Sequence, residues 1–404
     1  PLIARFFRNE ALVPILRVLS LTLVISSVAQ VPLTLMAKEM GFKNKVIPQM
    51  IAVFVGSVVS VVLALLGYGA WAIVYGQVVI ASIMALLVWF FCPWRPTFRF
   101  SRRIVSELWD YGKHIIGSQI MVFFITNIDD AFVGRLMGDR FLGYYSLAYE
   151  LSNLPATHLS RIVGQVMFPA FSRIQNDVER LRHVFFRSVK YVSLVAFPIS
   201  IVTLVFAQNF IVEAYGKKWM PVVTPLRLLT VYGLARAIAV NMGNVFKVGG
   251  KPKWLFYVAC WRLAVMAGLL YPAIRMRGVI GVAGLSAGVA VVDFVLSAFL
   301  TNRILGASWT RYVSILLPML VASSATALLG HTSYIQIRDV IHPFLAIPLT
   351  GGLALALYFG LMYLYDPELR AFASEMVQGF VQEVRDHLAE RRTKVSVPPS
   401  QAQG

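Results

Sequence analysis

"VIPQMIAVFVGSVVSVVLALL" at 46–66 and "AWAIVYGQVVIASIMALLVWFF" at 70–91 are two uncharged apolar runs, parted only by "GYG" at 67–69. Each is long enough to cross the hydrocarbon core of a bilayer as a helix, which takes about 20 residues. Gly-Tyr-Gly between them is a helix breaker. The rest of the chain repeats the pattern, with runs at 12–36, 114–134, 142–170, 184–208, 221–246, 254–272, 279–301, 312–330 and 343–365. The expectation is an all-α polytopic membrane protein of about eleven spans. The run at 142–170 exceeds an untilted crossing, so a kink is expected at Pro155.

Composition agrees: 58% of the 404 residues are hydrophobic and the mean hydropathy is +0.70. The net charge of +18 does not indicate nucleic acid, because the cations sit between apolar runs and not along one polar face. Cys92 and Cys260 lie in or beside different runs, so no disulfide framework is indicated. No metal or nucleophile constellation appears, and neither a metal nor a cofactor is expected. A membrane glycosyltransferase or ligase would need acids or His on a sizeable loop, whereas loops here reach only about twenty residues. The chain therefore reads as a non-enzyme.

Lys and Arg alternate between loops. One set holds Lys38, Lys43 and Lys45, then Arg95 to Lys113, Arg173 to Lys190, Lys247 to Lys253, and Arg303 with Arg311. The intervening loops are poorer, with none at 67–69 and pairs such as Lys217 and Lys218 elsewhere. The positive-inside bias makes the first set cytoplasmic and puts the C-terminus on the same side.

An internal repeat is also visible. "LRVLS" at 16–20 returns as "LRLLT" at 226–230, and "GYGAWAIV" at 67–74 loosely as "GVIGVAGL" at 278–285. An even number of spans separates the copies, so both have one orientation. That predicts two similar six-helix lobes related by a pseudo-two-fold axis along the membrane normal. The expected division is 1–100 for the rest of an N-terminal lobe, 101–304 for the C-terminal lobe, 305–365 for a further helix pair and 366–404 for a cytoplasmic tail. By this spacing the first three helices are missing from a design of about fourteen.

"IDDAFVGRLMGDRFLGYYSLAYELSNLP" at 128–155 and "VMFPAFSRIQND" at 166–177 resemble the Wzx-type polysaccharide transporters of the MOP flippase superfamily. Asp129 or Asp130, Gly134, Arg135, Gly138, Leu142, Gly143, Tyr145, Ala148, Tyr149, Pro155, Phe168, Pro169, Phe171 and Ser172 match that pattern, and the family's "SPWRP" and "GEKW" stand here as "CPWRP" at 92–96 and "GKKW" at 216–219. The resemblance implies a MATE-like two-lobe fold in the bacterial inner membrane. It implies export of an undecaprenyl-diphosphate-linked oligosaccharide from the cytoplasmic to the periplasmic leaflet by alternating access, for exopolysaccharide or lipopolysaccharide synthesis. A polysaccharide polymerase or chain-length regulator is the protein partner it suggests, beside the membrane lipid. A MATE-type drug or cation antiporter remains the alternative, with a lipid II flippase and a membrane ligase behind it.

A diphosphate and glycan crossing the bilayer need cations and amides in place of water. Five arginines lie inside runs, Arg17, Arg161, Arg227, Arg236 and Arg262, with Asn127, Gln165, Asn241 and Asn244 as neutral partners. Charges at such depth cost ~2.5–3.5 kcal/mol or more, so they are expected to face protein or water. Arg17 and Arg227 lie near a membrane surface, where snorkelling explains them equally well. Asp129, Asp130, Glu150 and Asp293 are the acids, each a candidate for ion coupling or for a structural ion pair, with Asp293 the natural partner of Arg262. Asp129 and Asp130 are consecutive and point about 100° apart on a helix, so at most one is expected to face a cavity. Tyr144, Tyr145 and Tyr149 suit either sugar stacking or an interfacial belt.

After the last run, Asp366 caps a helix with Pro367 at its first position, and an apolar stripe from Leu369 to Leu388 predicts an interfacial helix. Residues 393–404 are expected to be disordered.

Overall fold

A computed structural model describes residues 2–38, 42–95, 101–239 and 241–371; inside the helices some side chains, those of 158–166 and Pro155 among them, are not described. Every regular element among the described residues is a helix. The chain divides into two compact units, Pro1–Val122 and Phe123–Gly404, with the division inside one long helix.

In the first unit, α1 (Leu2–Phe7) leads into α2 (Leu12–Lys38), α3 (Phe42–Leu65) and α4 (Ala70–Phe91), followed by the opening part of α5 (Arg102–Met137). The two uncharged runs form α3 and α4, which pack on each other, and α2 packs on α4. Met36, Val88 and Cys92 bury a small core there. Leu23, Val24, Phe54, Leu65 and Phe90 are exposed in this unit, as lipid-facing residues are.

The second unit holds the remainder of α5, then α6 (Asp139–Arg173), α7 (Val178–Tyr215), a 3-10 turn at Lys217–Val222, α8 (Val223–Ala239), α9 (Met242–Val248), α10 (Lys253–Leu305), α11 (Trp309–Ile337) and α12 (Pro343–Tyr365). α8 is the hub: α6, α7 and α10 all pack against it. α7 also carries α11 and α12. The expected span at 221–246 is therefore divided between α8 and α9, with residue 240 outside the described residues.

α10 contains both runs, 254–272 and 279–301, in one hydrogen-bonded element of 53 residues broken at Gly278. Gly278 has φ 56 and ψ −136, a conformation closed to residues with a Cβ. A Cβ added at Gly281 would collide with the Ala273 carbonyl oxygen. In a straight helix those residues are about 12 Å apart, so the second half folds back on the first. Two antiparallel crossings result, as the apolar runs require.

Eight helical segments among the described residues are long and apolar enough to cross a membrane. α5 and α6 are not among those eight, although they stand where spans are expected; acids and tyrosines are set into their apolar sequences. Those polar residues build the site described below. The predicted kink at Pro155 falls on a side chain outside the described residues; α6 runs unbroken from Asp139 to Arg173.

After α12 the Asp366 side chain accepts the Glu368 and Leu369 amides at 3.0 and 3.4 Å, the cap that the sequence indicates. Lys190 of α7 ties this turn down, 2.5 Å from Asp366 and 2.9 Å from Glu368. The predicted interfacial helix beyond residue 371 lies outside the described residues. Cys92 and Cys260 are both free.

Candidate functional site: a buried tyrosine–arginine chain

α6 carries Tyr145 and Tyr149, four residues apart and so on one face; α8 carries Tyr232 and Arg236 at the same spacing. The two faces meet because Gly233 lets the backbones touch: a Cβ there would run into the Ser152 carbonyl oxygen. The Tyr149 and Tyr232 hydroxyls come within 3.1 Å, with ring centroids 5.6 Å apart. Arg236 Nη1 donates to Tyr232 at 3.0 Å and to Tyr149 at 3.4 Å. Its guanidinium also lies over the Tyr232 ring, 5.9 Å from the centroid.

Tyr145 continues the chain toward α5. Its hydroxyl donates to Asp129 Oδ2 at 2.5 Å and lies 3.3 Å from Ser286 Oγ on α10. Tyr145 is fully buried and Asp129 nearly so. Asp130 is half-buried and accepts from Ser146 Oγ at 3.2 Å. Among the described residues neither acid has a cation within ion-pair distance; their side-chain partners are hydroxyls, and Asp129 Oδ1 also accepts from the Asp130 amide at 3.2 Å. Nor does Arg236 have a carboxylate partner among them; its bonds run to neutral phenols, which leave its positive charge uncompensated.

Arg262 differs. It pairs with Asp293 across the two halves of α10, Nη1 to Oδ2 at 3.5 Å. Arg262 Nε and Asp293 Oδ1 are buried with no partner among the described residues, so the contact leaves one polar atom unsatisfied on each side. Removing one member strands the other charge in a low-dielectric setting. We expect Arg262→Ala to reduce the amount of folded protein, and the swap Arg262→Asp with Asp293→Arg to restore it, as read by immunoblot of membranes. Equal abundance of single and swapped variants would sink the pairing.

The other candidates are scattered. Arg17 is exposed in the first unit. Arg227 stands nine positions before Arg236, about 2.5 turns, and so faces the opposite side of α8, where its Nε donates to the Leu204 carbonyl at 3.2 Å. Asn241 is fully buried and donates to Ser188 Oγ at 2.8 Å, packing α7 against the junction of α8 and α9. Asn244 is half-buried, and Asn127 bonds within α5 to the Phe123 carbonyl and Thr126. Glu150 is exposed. The side chains of Arg161 and Gln165 lie outside the described residues.

Burial removes Tyr144 and Tyr145 from any lipid-facing belt. Tyr232 went unnoticed in the sequence, although its position one turn before an intramembrane arginine marks the shared face. Ser286 carries no such signal.

A family described as polysaccharide biosynthesis protein matches residues 1–224. The lipopolysaccharide biosynthesis protein WzxC of Escherichia coli (strain K12) is 29% identical over 334 residues, covering 80% of this chain and 68% of that protein. The teichuronic acid biosynthesis protein TuaB of Bacillus subtilis (strain 168) is 26% identical over 332 residues, with the same shares covered. Among solved structures, the lipid II flippase MurJ in an inward closed conformation matches with a TM-score of 0.67 at 13% identity, over 87% of this chain and 74% of that one. This last likeness concerns the fold.

Proposed function

Because the chain belongs to the polysaccharide biosynthesis protein family, we propose that it is a flippase for an undecaprenyl-diphosphate-linked oligosaccharide. The substrate passes from the cytoplasmic to the periplasmic leaflet of a bacterial inner membrane by alternating access, with the C-terminus cytoplasmic and a polymerase or chain-length regulator taking up the product. The relatives named for lipopolysaccharide and teichuronic acid synthesis, and the fold shared with a flippase, support this reading.

One observation carries it. Arg236 stands inside a span with its charge answered, among the described residues, by phenol hydroxyls. An isolated cation at that depth is costly unless an anion visits it, and a diphosphate or uronic acid is such an anion. The tyrosines orient the guanidinium without neutralising it. An antiporter for cationic drugs would gain nothing from this arrangement.

Asp129 is the proposed coupling group. A buried carboxylate with no cationic partner among the described residues takes up a proton or a metal cation more readily than it stays bare. Its bond to Tyr145 links it to the face that carries Tyr149, and Tyr149 in turn meets Arg236. Asp129→Asn keeps the shape and removes the titration. We expect it to leave abundance unchanged and to lower export at least about tenfold, the scale of one charged hydrogen bond. Undiminished export from this variant would show that Asp129 only positions Tyr145.

The reading as a whole is tested by deleting the gene and following the lipid-linked oligosaccharide. Accumulation with its sugar facing the cytoplasm, reversed by the full protein, is the expected result. Unchanged polymer and no accumulation would refute it.

A further inference from the structure

The first unit holds a polar cleft that the tyrosine–arginine chain does not use. α2 and α3 both pack on α4 but touch each other little, so a gap opens between them above α4. It is a cavity of about 500 Å³, within the ~300–1,000 Å³ of ligand pockets. Gln30 and Thr34 stand on one wall, four residues apart on a face of α2. Gln49 and Val53 stand on the other, at the same spacing on α3, and Ile80 and Met84 of α4 form the floor. Trp89 of α4 fixes the first wall, its indole donating at 3.1 Å to the Val28 carbonyl, which Pro32 leaves without its usual helical partner.

Gln30 lies eight residues from the Lys38 end of α2 and Gln49 seven from the start of α3, about 10–12 Å along each helix. Both are the ends that the positive-inside bias makes cytoplasmic. Polar side chains at such depth are costly unless they meet a partner, yet among the described residues neither glutamine amide has one. Thr34 Oγ1 donates to the main-chain carbonyl of Gln30 at 2.8 Å, which leaves its lone pairs able to accept. No charged side chain among the described residues lines the cleft.

These groups select the ligand. A phosphate would call for a cation, and an acyl chain offers the amides nothing. Amides both donate and accept, as sugar hydroxyls do, and the apolar residues between them suit the C–H faces of a sugar ring. We propose that Gln30, Gln49 and Thr34 form a subsite for neutral sugar residues of the translocated glycan. The subsite rests on the flippase reading and gives the sugar its own recognition, apart from that of the diphosphate. The depth of the cleft suits a glycan that enters from the cytoplasm.

The test purifies the full chain in detergent and measures, by isothermal titration calorimetry, binding of undecaprenyl diphosphate with and without a neutral hexose tetrasaccharide. Wild type is expected to bind the sugar-bearing lipid about tenfold tighter, the scale of one or two hydrogen bonds between neutral groups. Gln30→Leu with Gln49→Leu removes that preference and leaves affinity for the bare lipid unchanged. Val53→Phe narrows the cleft with both amides kept, and is expected to reduce the preference as well. Because the amides hold no helix together, the double leucine variant should melt no lower than wild type. A lower melting temperature would make them interhelical braces and would overturn the subsite. So would a preference for the sugar-bearing lipid that both variants keep, or its absence from wild type while the bare lipid binds. Failure of wild type to bind either lipid would instead refute the flippase reading, and the subsite with it.

Discussion

Arg236→Ala blocks export while the protein stays inserted and abundant. Among the described residues the guanidinium is held by hydroxyls and not by a carboxylate, so its loss strands no opposite charge there, unlike the loss of Arg262. Hydrogen bonds to charged groups contribute about 1.5–3 kcal/mol, so losing a cation proposed to meet the diphosphate lowers transport by about 10–100-fold. Arg236→Lys keeps the charge but not the fork that bridges Tyr149 and Tyr232, and should fall between the two. Tyr232→Phe and Tyr149→Phe each remove one anchor and cost less. Export is read as surface polymer, abundance by immunoblot. Loss of the protein itself in Arg236→Ala would assign this residue to structure.

Gly233→Leu is expected to remove most folded protein. Even the first carbon of a side chain meets backbone, the Ser152 carbonyl, where no rotamer change gives relief. Overpacking of this kind costs about 1–3 kcal/mol for a small excess and more for leucine. The strain also lands on the site, since Gly233 adjoins Tyr232 and Ser152 donates to the Tyr149 carbonyl at 2.9 Å. Gly233→Ala should fold at lower melting temperature and export poorly, because parting α6 from α8 lengthens the Tyr149–Tyr232 contact. Size-exclusion profiles after stepwise heating check both variants. A wild-type profile for Gly233→Leu would contradict the close approach.

The spans were legible because apolar length against bilayer thickness is a strong constraint, and each run falls largely on helix in the described residues, that at 221–246 being divided between α8 and α9. The break at Gly278 was not separable from a loop by composition. It needs a positive φ, and glycine permits this without announcing it. In the site, the arginines could be sorted by angle alone: nine positions place Arg227 and Arg236 on opposite faces of one helix. The Arg262–Asp293 pair was readable as a charge match inside adjoining runs. The hydroxyl partners of Asp129 and Arg236 were not, because tyrosines in membrane proteins serve several ends and only burial tells them apart. Charge complementarity suggested ion pairs for Asp129 and Asp130, yet the fold brings hydroxyls to both.

The most direct measurement reconstitutes the full protein in liposomes with a polyprenyl-diphosphate oligosaccharide on the outer face and follows its protection from an impermeant glycosidase. Wild type should render a growing fraction resistant, and Arg236→Gln should leave the sugar as accessible as in protein-free vesicles. Equal protection by wild type and Arg236→Gln would contradict the claim that the uncompensated arginine receives the anionic head group.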